Sequence, residues 1–318
     1  MRLTGTFLDE ITFDIPHQNW GREEWDRDFC AMKALGIKRV FIIRAAWRPF
    51  MTFDSKVVSS TGFFHKPPVD LMDLFLDLAE KYDIEFYAGT WHSQEGDCVT
   101  WTTGKYDREI AINLALIDEI QEKYGHRKAF KGWYLTHEVC ANIPGTIELF
   151  RKTGLHAKVV SGGKPTMISP YFAGVKAPVS LGDVGVLTVE AHAAHWTKIF
   201  AQLRGAVDYV AFQDGHVGFG ELADYLKVTA KLAKENGITC WTNIESFDRD
   251  MPINFLPINW EKFQWKMEAA ASAGIEEGIT FEFSHFMSPN SMYASAANLF
   301  DRYCEYCDIP ARSKDFKN

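Results

Sequence analysis

Lys131-Gly-Trp-Tyr-Leu-Thr-His-Glu138 is an apolar, aromatic run that ends in a histidine and a carboxylate. Val139, Cys140 and a loop with Pro144 and Gly145 follow it. The run reads as a buried strand that delivers Glu138 to the edge of a sheet. Thr239-Cys-Trp-Thr-Asn-Ile-Glu245 has the same form and ends in a second glutamate. If both are strands of one closed sheet, the two carboxylates can share a site.

Working outward, strand-like and helix-like stretches alternate along the whole chain. Strand candidates are 3–8, 39–44, 85–90, 132–137, 166–171, 209–213, 239–245 and 278–284. Helical spacing of apolar residues marks 23–35, 69–82, 107–124, 145–153, 192–203, 221–236, 260–273 and 291–304. Gly36, Gly125, Gly154, Gly205, Gly237 and Gly274 stand where these helices should stop. Leu35-Gly-Ile-Lys-Arg-Val, Glu235-Asn-Gly-Ile-Thr-Cys and Ala273-Gly-Ile-Glu-Glu-Gly-Ile repeat one helix–stop–strand phrase. Eight such units predict a (β/α)8 TIM barrel, with residues 1–318 forming a single domain with long loops on its C-terminal face. The alternative, a doubly wound open sheet, would place a glycine-rich phosphate loop after the first strand. Asp9-Glu-Ile-Thr-Phe stands there instead.

Composition narrows the function. With 47% hydrophobic residues the chain can bury a large core. Its net charge of −8 and lack of a basic stripe argue against a nucleic-acid partner. No apolar run reaches membrane-spanning length. No leader pattern precedes the first strand, as expected of a cytoplasmic protein or of a mature secreted domain whose leader has been removed. Nothing in the sequence sets the oligomeric state. Cys304 and Cys307 form a C-x-x-C pair with no second Cys/His pair nearby, so two incidental helix cysteines are a better reading than zinc. No P-loop or dinucleotide fingerprint is present, and no cofactor is expected. The long segments after strands two, three and five carry Trp47, Phe50, Phe53, Phe63, Phe64, Trp91, Trp101, Tyr106, Tyr171 and Phe172. Rings in loops suit a cleft that stacks on sugars; extra packing is the plain alternative.

In a barrel the active site lies at the C-terminal strand ends. Those ends collect Glu10, Arg44, Trp91, His92, His137, Glu138, Tyr171, Gln213, Asp214, His216, Asn243, Glu245, Glu282 and His285. Buried ionisable groups cost stability unless pairing or function retains them. Each also has a structural reading. Arg44 can pair with Glu10 or Glu282 at the rim. His92, His216 and His285 can be hydrogen-bonded supports, and Asn243 or Tyr171 can orient a neighbour. Alternation places Tyr134, Thr136 and Glu138 on one face of strand four, and Trp241, Asn243 and Glu245 on one face of strand seven. On strand eight it assigns Thr280, Glu282 and Ser284 to the axis, and Ile279, Phe281 and Phe283 to the helix layer.

Glutamates ending strands four and seven resemble the arrangement of the clan A retaining glycoside hydrolases. More narrowly, four stretches are similar to a bacterial family of glycoside-hydrolase-like TIM barrels of unknown function. They are Gly5-Thr-Phe-Leu-Asp-Glu10, Lys131 to Glu138, Ile168-Ser-Pro-Tyr-Phe172 and Phe281-Glu-Phe-Ser-His-Phe-Met-Ser-Pro-Asn290. The resemblance implies that Glu138 is the general acid/base, Glu245 the nucleophile and a carbohydrate the substrate. Arg44 and Tyr171 would keep Glu245 ionised, while Asp214 and His137 would modulate Glu138. Glu10, Arg44, Trp47, Trp91, His92, His137, Tyr171, Gln213, Asp214, Asn243, Glu282 and His285 would bind the substrate sugar. Clan A enzymes place asparagine before the acid, where it contacts the sugar 2-hydroxyl; His137 stands there in this chain.

Two other functions fit the fold. A metal-dependent sugar isomerase or epimerase would gather Glu138, His216, Glu245 and Glu282 around an ion. A non-catalytic glycan-binding barrel would need rings and hydrogen bonds, but not two buried acids.

Overall fold

The computed structural model describes residues 1–12, 15–93, 103–180, 185–251, 253 and 255–316. Cys98 and Trp101 lie outside the described residues. Eight parallel strands close into one barrel. They are β1 (Arg2–Leu8), β2 (Arg39–Ile42), β3 (Glu85–Gly89), β4 (Phe130–Tyr134), β5 (Thr166–Ile168), β6 (Tyr209–Gln213), β7 (Thr239–Glu245) and β8 (Glu277–Phe281). Each strand pairs with its chain neighbour, and β1 beside β8 completes the ring.

The outer layer comprises α1 (Arg22–Leu35), α2 (Leu71–Tyr82), α3 (Thr103–Tyr124), α4 (Pro144–Val160), α5 (Val189–Leu203), α6 (Leu222–Glu235), α7 (Trp260–Ser272) and α8 (Ala294–Tyr306). Side-chain caps set several starts. Asp70 accepts from the Asp73 amide ahead of α2, and Thr188 accepts from the Ala191 amide ahead of α5. Gly36 ends α1 at φ 100°, a left-handed conformation that glycine adopts freely. Between β2 and α2 the chain adds a small hairpin, Ala46–Trp47 with Phe50–Met51. Among the described residues no helix is long and apolar enough to cross a membrane.

Strand alternation divides the core in two. Phe7, Phe41, Tyr87, Tyr134, Met167, Trp241 and Ile279 fill the barrel. Val40, Phe86, Trp133 and Ile244 pack under the helices, as do Leu135, Val210 and Phe212. The expected parity therefore holds on β4 and β7. On β8 it is reversed: Ile279 fills the barrel, Phe281 packs against that core, and the Thr280 hydroxyl donates to the Ile244 carbonyl. The reason is the neighbouring Gly5, which pairs with Ile279. A Cβ on Gly5 would lie 2.8 Å from Ile279 Cγ2, so the missing side chain makes the space that Ile279 occupies.

A second departure is α4: in place of a stop at Gly154 with an irregular continuation, regular helix runs seven residues beyond residue 153, to Val160. Gly154 is not a stop. It lets the helix approach the chain before β6, because a Cβ there would sit 2.3 Å from the Ala206 carbonyl oxygen. Gly154→Ala should therefore destabilise the protein by about 1–3 kcal/mol through overpacking, although alanine is the better helix former by about 1 kcal/mol. Denaturant unfolding measures this, and an unchanged or raised midpoint would refute the close-approach account.

Candidate active site

The strand ends open into a cavity of about 440 Å³. Beyond β4 the chain stays extended and is pinned residue by residue. Leu135 N donates to Met167 O (2.9 Å), Thr136 N to Thr90 Oγ1 (3.0 Å), and the Thr136 hydroxyl to Ile43 O (2.9 Å). These bonds carry Glu138 into the cavity, where its side chain is exposed. Enclosure by protein raises its pKa; Arg44 and a hydrogen bond with Gln213 oppose the rise, and the charge of Glu245 adds to it.

Glu245 ends β7 and faces the same cavity, but it is only 1% exposed. Burial works against its charge. The guanidinium of Arg249 overcomes that penalty, with Nε donating to Oε2 and Nη2 to Oε1, both at 2.6 Å. Lys266 adds its positive charge, and Glu245 is held below the usual carboxylate range. Behind it, Asp214 Oδ1 accepts from Lys266 Nζ (2.8 Å) and from the Glu245 amide (3.2 Å). Lys266 Nζ also donates to the Glu245 carbonyl (3.2 Å). Burial and the nearby Glu245 raise Asp214 to about 6 against the pull of Lys266.

These contacts reassign four expected roles. Arg44 acts electrostatically on Glu138, and its guanidinium lies 4.0 Å from the Trp47 ring. Tyr171 packs edge-on to His216 and interacts with Cys140. Neither holds Glu245; that is the work of Arg249, four residues downstream in a loop where no periodicity marks it. Asp214 supports Glu245 rather than Glu138, and it lies behind the wall. His137 Nε2 is 3.0 Å from Glu109 Oε1, which also accepts from the Ser93 amide (2.8 Å).

Trp47, His92, His137, Tyr171, Gln213, His216 and Asn243 all line the cavity. Gln213 Nε2 donates to Ser169 O (2.9 Å), and Asn243 Nδ2 to Ser169 Oγ (3.1 Å), so one serine orders two amides. Burial and its neighbour His137 push His92 down to about 3; burial and Arg249 push His216 down to about 4. Both are neutral imidazoles at neutral pH.

Besides Asp214, four expected lining residues are elsewhere. Trp91 is 2% exposed and packs under the helices, its amide donating to Asn113 Oδ1 (2.9 Å). Its large apolar ring wins more by burial than by facing the cleft. Glu10, Glu282 and His285 gather in a buried cluster outside the cavity lining. Glu282 caps the helical turn Phe283–Phe286 and meets His285 Nδ1 at 2.6 Å, while His285 Nε2 donates to Pro16 O (2.9 Å). Burial opposes the His285 charge, but Glu282 raises its pKa to about 9. Burial lifts Glu10 to about 7. Cys304 and Cys307 are free thiols in the helix-layer core. Among the described residues no group of three or more His, Cys, Asp or Glu is placed to hold a metal ion.

A family model for a domain of unknown function, DUF4434, matches residues 3–293. Among solved structures, a protein of Bacteroides thetaiotaomicron VPI-5482, provisionally designated an alpha-L-fucosidase, is 47% identical with a TM-score of 0.91, over 97% of this chain and 94% of that one. The endo-1,4-beta-D-mannanase of Thermotoga petrophila RKU-1 is 13% identical with a TM-score of 0.57, over 88% of each chain. An intracellular xylanase of Thermoanaerobacterium saccharolyticum is 13% identical with a TM-score of 0.53, over 88% of this chain and 85% of that one. At 13% identity these last two speak for the fold alone. No curated protein matches the sequence.

The support behind Glu245 is testable by stability. Lys266 and Asp214 are 5% and 2% exposed. Lys266→Met should cost about 3–5 kcal/mol, because it leaves a buried carboxylate without its partner. Adding Asp214→Leu should restore part of the loss. Thermal unfolding of the single and double variants checks both; a neutral single variant would contradict the assignment.

Proposed function

This chain belongs to the DUF4434 family, and from its site we propose that it is a glycoside hydrolase that cleaves an oligo- or polysaccharide by a retaining, two-carboxylate mechanism. The observation that carries this reading is a pair of glutamates on one cavity whose environments push their pKa values in opposite directions. Glu138 is raised and Glu245 is lowered. That is the division of labour between a general acid and a nucleophile.

In the first step Glu138 gives its proton to the glycosidic oxygen as Glu245 attacks the anomeric carbon. The leaving sugar departs as an alcohol, and a glycosyl ester remains on Glu245. Glu138, now ionised, takes a proton from water, which displaces Glu245 and regenerates both groups. Retention requires the carboxyls to lie about 5–5.5 Å apart. The Arg249 fork leaves Glu245 ionised and oriented, and the 2.6 Å bonds weaken as its charge is spent on the sugar. Trp47, Tyr171, Phe247 and Phe255 supply apolar faces on the wall. His137, tethered to Glu109, stands where clan A enzymes carry their asparagine.

The metal-dependent isomerase is less well supported, since Arg249 already engages both Glu245 oxygens and Glu282 is committed to His285. A purely binding role leaves the opposed carboxylate environments without a purpose. The related Bacteroides protein makes aryl α-L-fucosides a sensible member of any substrate panel, beside β-mannosides and β-xylosides.

On a substrate that is cleaved, kcat/KM should be bell-shaped in pH. Its acid limb reports ionisation of Glu245, below the usual carboxylate range. Its alkaline limb reports loss of the Glu138 proton, above it. Glu138→Gln should remove the alkaline limb and lower kcat by about 10²–10⁴ on poor leaving groups, with a smaller loss on activated aryl glycosides. Glu245→Gln should abolish turnover on both. Full activity in either variant would end this proposal.

A further inference from the structure

The arginines that sit in walls or ion-pair clusters here are matched with carboxylates. Arg39 meets Glu277 at 2.7 Å and Glu85 at 3.3 Å. Arg127 meets Asp73 and Asp77. Arg249 meets Glu245. Arg44 is the contrast. It lines the cavity and is half-buried, yet among the described residues no carboxylate or carbonyl accepts a hydrogen bond from it. Its Nε is buried without a partner. Among the described residues it is the Trp47 ring, at 4.0 Å, that holds the guanidinium.

A half-buried guanidinium with no hydrogen-bonded counter-ion is stabilised when an anion binds beside it. The two catalytic acids do not supply it. Glu245 is already neutralised by its bidentate bonds to Arg249. Glu138 must be protonated to act, and it makes no hydrogen bond to Arg44. Asp9, the remaining carboxylate on the wall, uses Oδ1 to accept from the Ile11 and Thr12 amides, and its Oδ2 is buried without a partner, so neither oxygen bonds Arg44. We propose that Arg44, steadied on Trp47, forms a subsite for an anionic substituent of the substrate sugar, a carboxylate or a sulfate. The proposal rests on the glycoside-hydrolase reading of the same cavity and names its substrate class. Stacking on the ring fixes the guanidinium plane and leaves its edge free, the geometry that binds a planar carboxylate through two parallel hydrogen bonds.

Calorimetric or NMR titration of the full chain at low ionic strength tests this with paired probes. These are D-glucuronate against D-glucose, D-galacturonate against D-galactose, and D-glucose 6-sulfate. In at least one pair the anionic sugar should bind about tenfold more tightly than the neutral one, as expected for a charge-assisted hydrogen bond. Tighter binding of the sulfate than of either uronate would identify sulfate as the source. Arg44→Gln should erase the preference, read as the ratio of anionic to neutral affinity, and Arg44→Lys should keep part of it. Trp47→Leu, which leaves the charge but removes its platform, should weaken the preference and provides the test if Arg44→Gln does not fold. Equal binding of charged and neutral sugars, no binding of any probe, or a preference that survives Arg44→Gln would overturn the proposal. The two readings fail separately. An Arg44-dependent preference with no glycoside cleaved would remove the hydrolase but keep the subsite. Cleavage of neutral glycosides through Glu138 and Glu245, without that preference, would do the reverse.

Discussion

A carboxylate at 1% exposure cannot keep its charge unless the protein surrounds it with compensation. Glu245 is that carboxylate, and much of the barrel mouth is arranged around it. Arg249 reaches back from the following loop to grip both oxygens. Lys266 comes from α7, and Asp214 from just past β6, so three elements converge on one strand end. The approach is close enough that residue 215 has to lack a side chain. A Cβ on Gly215 would lie 1.9 Å from Glu245 Oε2 and 2.2 Å from Arg249 Nε. The ion pair thus fixes a backbone position as well as a charge.

Glu138 shows the opposite solution with the same side chain. It stands open to the cavity, without a bonded cation, and Arg44 reaches it only through its field. Desolvation then prevails over the weaker attraction and the proton is retained more strongly. The difference between the two acids lies in what is within bonding distance. It follows that the cations cannot be exchanged. A guanidinium bonded to Glu138 would depress its pKa and remove the acid, whereas Glu245 without Arg249 would tend to protonate and lose its nucleophilicity.

The barrel was legible in the sequence because its signals are local and repeated. Period-two alternation put Tyr134 and Trp241 inside the barrel and Trp133 and Ile244 outside it, and glycine stops separated the units. The failures depend on contacts that no local pattern encodes. Arg249 carries no local mark, since its partner is defined by a loop conformation and not by strand parity. The inward turn of Ile279 depends on the absent side chain of Gly5, which is more than 270 residues away but adjacent in the sheet. Gly154 resembles a helix stop until the Ala206 carbonyl is placed beside it. Trp91 looked like a sugar platform because it follows a strand, but the side-chain amide of Asn113 turns it into the helix layer.

The polar residues that collect at the strand ends therefore belong to three populations. Some face the cavity, such as Glu138, Gln213 and Asn243. Some stand behind it and hold those in place, as Asp214 and Lys266 do. The third group, Glu10, Glu282 and His285 with the nearby Asp28, lies off the cavity and is self-contained. There Ser284 and Ser288 donate to Asp28, and Glu282 both caps a turn and binds His285. From sequence these populations look alike, because each needs polar residues where strands end. What separates them is which side of the cavity wall they occupy. In the supporting and flanking groups Lys266 meets Asp214, His285 meets Glu282, and Ser284 and Ser288 donate to Asp28, while Asp214 Oδ2 and Glu10 Oε2 are buried without a hydrogen-bond partner. On the cavity wall Asp9 Oδ2 and Arg44 Nε are buried without a partner and Glu138 has no bonded cation, and it is an unmet group that faces a cavity, rather than one packed behind it, that a ligand can complete.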